Sequence, residues 1–147
     1  MTALGGGADV PLSSEASEGH RLIISQRMKA TSPGKQTGTW VAAGAINDAG
    51  HVEATAVVVE HGGGKALIKA THTLSGVDGM ITLESHTWFR PFPPPTPARV
   101  MVEGDWKQIG ATGVYTDMDA HGKLYATIDQ LTGEITIVRD GRGGAKQ

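Results

Sequence analysis

Cysteine is absent from the 147 residues, so neither a disulfide framework nor a thiolate metal site can form. Charge of one sign is not in excess either: 13 Lys and Arg stand against 15 Asp and Glu, with no long basic run. Phosphate binding needs clustered cations, so nucleic acid is not an expected partner. No window approaches the ~20 consecutive apolar residues of a helical membrane span. The first 19 residues are rich in Gly, Ser and acid, and lack both the basic start and the apolar run of a secretory signal. They read as a flexible arm on a cytoplasmic protein. Clusters of helix formers are missing as well.

What remains is a β pattern punctuated by turns. The most strongly patterned stretch is Gly79 to Arg90, rich in β-branched and aromatic residues and stopped by the prolines of 91–97. It alternates strictly. One face carries Met80, Thr82, Glu84, His86 and Trp88; the other carries Ile81, Leu83, Ser85, Thr87 and Phe89. The first face mixes large apolar groups with two titratable ones, as a ligand cavity would, and is expected to point inward. The second is then an outer wall or subunit contact.

Seven further strands are expected, at 20–30, 38–46, 51–60, 65–74, 99–107, 119–129 and 134–140. The first places Leu22, Ile24, Gln26 and Met28 on one side; the fourth places Ile68, Ala70, His72 and Leu74 together. Asn47-Asp48-Ala49-Gly50 and Gly62-Gly63-Gly64 read as tight turns. Residues 108–118 read as a loop, the proline segment as a lip at one mouth, and 141–147 as a disordered tail. The organisation is thus one all-β domain over 20–140. Eight strands joined mostly by short connections favour an antiparallel barrel, which removes exposed edges, over an open sandwich.

Gly104-Asp105-Trp106-Lys107-Gln108-Ile109-Gly110-Ala111-Thr112-Gly113-Val114-Tyr115 resembles the Gly-x-Trp-x-Ile-x-Gly-x-Thr-Gly-x-Tyr signature of allene oxide cyclase-like and dirigent-like barrels. Gly122, Thr132-Gly133-Glu134-Ile135, Asp140-Gly141, Gly38-Thr39-Trp40 and Asn47-Asp48-Ala49-Gly50 extend the likeness over roughly residues 38–141. It implies an eight-stranded, calycin-like barrel with a central ligand cavity. It also implies cofactor-free cyclisation, isomerisation or stereochemical guidance of reactive small molecules; spirotetronate-forming cyclases resemble the same barrel. These motifs are glycine-centred and speak of fold. No catalytic residue carries over from them.

The site is therefore argued from residues. Glu84 and His86 share a strand face, and His72 lies on the neighbouring strand. If all three point inward they form a catalytic group, in which a buried carboxylate of raised pKa gives a proton. The plainer alternative is that such groups only hydrogen-bond one another or face solvent. Trp88, Trp40, Trp106, Met80, Gln26 and Met28 are candidate substrate-binding residues, with core packing as the alternative. A metal reading of His72, Glu84 and His86 lacks dense ligand spacing, so no metal and no other cofactor is expected. Two functions compete. One is a cofactor-free cyclase or isomerase acting on a small apolar, unsaturated metabolite; the other is a carrier or binding barrel for such a molecule. The apolar outer wall and the resemblance both imply a homo-oligomer, a dimer or trimer.

Overall fold

The computed structural model describes residues 19–61, 65–89 and 98–145. Eight strands close into one antiparallel barrel in which each pairs with its sequence neighbours. They are β1 (His20–Ser32), β2 (Lys35–Gly44), β3 (Asp48–His61), β4 (Lys65–Gly76), β5 (Met80–Phe89), β6 (Arg99–Ala111), β7 (Met118–Asp129) and β8 (Glu134–Ala145). β8 pairs with β1 through Ile24↔Arg139 and Gln26↔Ile137 and closes the ring. A single 3-10 turn, Gly113–Tyr115, is the one helical piece among the described residues. No helix there is long and apolar enough to cross a membrane.

The all-β, eight-stranded expectation holds; several boundaries move. β6 runs on through Ala111, so the expected loop at 108–118 shrinks to a short connection around the 3-10 turn. Residues 141–145, expected in a disordered tail, are strand: Gly143 pairs with His20 and Ala145 with Met118. The glycine-rich sequence suggested disorder, but closing the ring supplies partners on both sides of this segment. β3 begins at Asp48, which moves the turn from 47–50 to 45–47. The arm over 1–18, the Gly62–Gly64 turn and the proline lip over 91–97 lie outside the described residues.

Two rows set a tryptophan beside glycines of the neighbouring strands. Trp106 pairs with Gly122, which pairs with Gly141. A Cβ on Gly141 would stand 2.8 Å from Cζ2 of Trp106, so the bare glycine backbone makes room for the indole. On the other side of the barrel Trp40 pairs with Gly50, which pairs with Gly76, and a Cβ on Gly76 would again stand 2.8 Å from an indole Cζ2. Each indole N–H donates to a backbone carbonyl, Trp40 to Ser75 at 3.1 Å and Trp106 to Lys123 at 2.9 Å. Both indoles are buried and satisfied, as core packing requires.

One end of the barrel is stitched shut. Asp48 accepts hydrogen bonds from the Tyr115 hydroxyl at 2.5 Å and from the backbone N–H groups of Ala49, Val77 and Asp78. Burial pulls its carboxyl upward, but these hydrogen bonds outweigh that and lower its pKa from 3.8 to about 2. The β2–β3, β4–β5 and β6–β7 connections meet at this end. The ends of β5 and β6 that flank the proline segment lie at the other.

Candidate functional site

Strand parity decides what faces inward. His72 of β4 lies directly opposite Leu83 of β5, and directly opposed residues point to the same side of a sheet. His72 and Leu83 are both buried, so Glu84 must point the other way. The expected inward face of β5 is thus corrected. Ile81, Leu83, Ser85 and Thr87 fill the interior, while Met80, Thr82, Glu84, His86 and Trp88 lie on the outer wall. Glu84 and His86 stand 3.7 Å apart there, with side chains 29% and 41% exposed. Trp88 is 49% exposed. The physical reason is electrostatic and steric. Outside, Glu84 sits opposite Lys107 and His86 lies between Lys69 and Asp105, all near water. Inside, only small Ser85 and Thr87 leave room for a long side chain arriving from β8. The expected group of Glu84, His86 and His72 therefore does not converge, either as acid–base machinery or as metal ligands. Ile81 and Leu83, expected on an outer subunit contact, are core residues.

His72, Gln26, Met28, Trp40 and Trp106 do lie inside, as the sequence suggested. The side chain that organises them is one the alternation analysis did not single out, Arg139 of β8, which is fully buried at 0% exposure. Its Nε donates to Gln26 Oε1 at 2.6 Å and its Nη1 to Ser85 Oγ at 2.8 Å. Its Cζ lies 5.9 Å from the centroid of the Trp106 ring, within cation–π range. Its Nη2 has no hydrogen-bond partner, one of two buried side-chain atoms so placed among the described residues; the other is Gln108 Oε1. A signal for Arg139 existed in the sequence. Ile135, Ile137 and Arg139 share one parity of β8, and a charge in step with an apolar stripe is buried or marks the stripe's end.

The polar cluster has a defined sense. The guanidinium can only donate, so Gln26 must present its oxygen to Arg139. The amide nitrogen then faces His72 Nδ1 at 3.1 Å and also reaches Met28 Sδ at 3.2 Å. His72 Nδ1 must accept, which assigns the ring proton to Nε2. Burial, and secondarily the charge of Arg139, pull the His72 pKa well below 6.5, so the ring is neutral at pH 7. Burial also lowers the Arg139 pKa from the ordinary guanidinium range to about 9, which leaves it charged at pH 7.

Arg139, His72 and Ser85 contribute to the lining of a cavity of about 80 Å³ whose other walls are Ile68, Ala70, Val102, Leu124, Ala126, Ile128, Ile135 and Ile137, with Gln36, Ala56 and, near the end of β5 that flanks the proline segment, Thr87. Gln36, Ile128 and Ile135 lie toward the end of the barrel from which the proline segment departs. Among the described residues the lining contains no acidic side chain. A buried guanidinium normally finds a carboxylate, because its desolvation is otherwise costly. This one has two neutral acceptors and an Nη2 without a partner.

Fold and site together define a closed antiparallel β-barrel with a buried, cationic polar cluster at the base of an apolar cavity. In comparisons with known proteins, the chain matches no family model, no curated protein and no solved structure.

Proposed function

We propose that the protein is a cofactor-free cyclase or isomerase, of the allene oxide cyclase-like kind, that encloses a small and largely apolar, unsaturated metabolite in a central ligand cavity. The observation that carries this reading is the unpartnered Nη2 of Arg139 beside an apolar-walled cavity. Such a group polarises a carbonyl or epoxide oxygen in surroundings where water does not weaken it. His72 Nε2–H is a second neutral donor on the same lining. The walls hold the carbon skeleton in a folded, near-attack shape. The space of about 80 Å³ suits the oxygen-bearing end of a molecule; a longer body would extend toward Gln36 and Ile128. No proton donor of carboxylic type is among the described residues of the lining, so the reading assigns catalysis to shape and hydrogen bonding.

The test is product analysis. A reactive polyene bearing a carbonyl or epoxide is incubated with the protein and its products are resolved by chiral chromatography. Wild type should change the product ratio or its handedness, Arg139→Met should abolish that change, and outer-wall Glu84→Gln should match wild type. Recovery of bound but untransformed ligand would instead favour a carrier.

We further propose a homo-oligomer. Val57, Trp88, Met101 and Tyr125 are each about half exposed or more on described strands, and the row Leu67↔Trp88↔Glu103↔Tyr125 runs across three strand pairs of the outer wall. Light scattering should give a dimer or trimer mass at micromolar concentration, and Trp88→Glu should shift it toward a monomer. A monomer mass for wild type would refute the assembly.

A further inference from the structure

Resting on the enclosed-cavity reading above, we infer that the deep end of the cavity is an oxyanion site, and that the molecule it takes carries an anionic oxygen, carboxylate in character, which binds Arg139 Nη2. Three observations converge. First, Arg139 is completely buried and bonded only to Gln26 and Ser85, both neutral. Second, its Nη2 is a buried atom without a hydrogen-bond partner, and Arg139, unlike Gln108, borders the cavity. Third, the other polar atoms available there are donors as well. His72 is held as the Nε2–H form by the Gln26 amide, and the Ser85 hydroxyl accepts from Nη1, which frees its own proton.

A neutral carbonyl or epoxide oxygen uses the hydrogen bond of such a donor but leaves its charge unneutralised. A site that buries a whole guanidinium with no acidic side chain among the described residues of its lining is matched to a negative charge. Gln26 is then a positioning residue. It holds the guanidinium in place through Nε and, with its other end, keeps the proton of His72 on the nitrogen away from Gln26.

The experiment uses the full-length protein and the short carboxylate butanoate, which fits the available space, with the neutral near-isostere butanamide as control. Binding is followed by calorimetry and by the ¹⁵N shifts of the His72 ring. Butanoate should bind wild type at least about tenfold more tightly than butanamide, the usual advantage of a charge-assisted pair. It should also perturb the Nε2 resonance while Nδ1 keeps its acceptor signature. Arg139→Met should lose this preference. Should that variant fail to fold, Gln26→Glu serves in its place: it supplies an internal carboxylate to Arg139 and should weaken butanoate about tenfold or more without unfolding the barrel. Equal binding of butanoate and butanamide would overturn the oxyanion assignment yet leave the cyclase reading standing. No butanoate binding at all would overturn it too, with water as the occupant of the site. Tight butanoate binding beside unchanged polyene products would uphold the oxyanion site and refute the cyclase reading.

Discussion

Arg139→Met should make the protein more stable, by about 2 kcal/mol, while Gln26→Leu should make it less stable by about the same amount. Both changes remove polar atoms from one buried cluster, so equal signs would be the naive expectation. Opposite signs follow from the charge. Lowering the Arg139 pKa from the ordinary guanidinium range to about 9 by burial corresponds to about 5 kcal/mol by which the fold disfavours the cation. Hydrogen bonds to Gln26 and Ser85 and the contact with Trp106 offset part of that. Methionine, long and flexible, occupies much of the same space without the charge. Leucine at position 26 does the reverse, because it leaves the cation buried and deletes its best acceptor. Each change should move the thermal midpoint by roughly 8 °C, upward for Arg139→Met and downward for Gln26→Leu. Calorimetric melts at neutral pH measure both. A destabilised Arg139→Met would show that the cluster is a structural strut and that no functional strain resides in it.

Acidification should destabilise the wild-type protein in two separate steps. His72 is neutral in the fold because burial and the facing charge of Arg139 hold its pKa well below 6.5. Its unfolded form takes up a proton near pH 6.5. Below that pH the unfolded state therefore binds more protons, and stability falls as pH falls. The slope approaches about 1.4 kcal/mol per pH unit below pH 6.5. Asp48 acts in a lower window. Its folded pKa of about 2 lies below the usual 3.8, so its contribution is complete above pH 3.8 and is lost as pH falls from there to 2. Urea titrations across this range should show the first decline in wild type and its absence in His72→Gln. A wild-type stability that is flat from neutrality to about pH 5 would place a protonated ring inside the barrel and undo the tautomer argument.

The sequence by itself determined the class of fold and most of its strands. Alternation of residue character is a property of the chain, and turn residues mark where it reverses. The packing of Trp106 against Gly141 and of Trp40 against Gly76 is decided by register instead, because those glycines come beside the indoles only when the strands pair. Which face of a strand turns inward is another matter. On β5 both faces offer apolar and polar groups: Met80 and Trp88 with Glu84 and His86, against Ile81 and Leu83 with Ser85 and Thr87. Period 2 separates the two sets but cannot rank them. Only the pairing of β4 with β5, His72 opposite Leu83, ranks them and sends Glu84 and His86 to the outer wall. The site is decided in the same way. Gln26, His72, Ser85 and Arg139 come from four strands and are as many as 113 residues apart, yet three hydrogen bonds join them. Residues so distant in the chain become neighbours only when β8 closes against β1, and that closure places a charge among apolar walls where no local pattern could locate its partners.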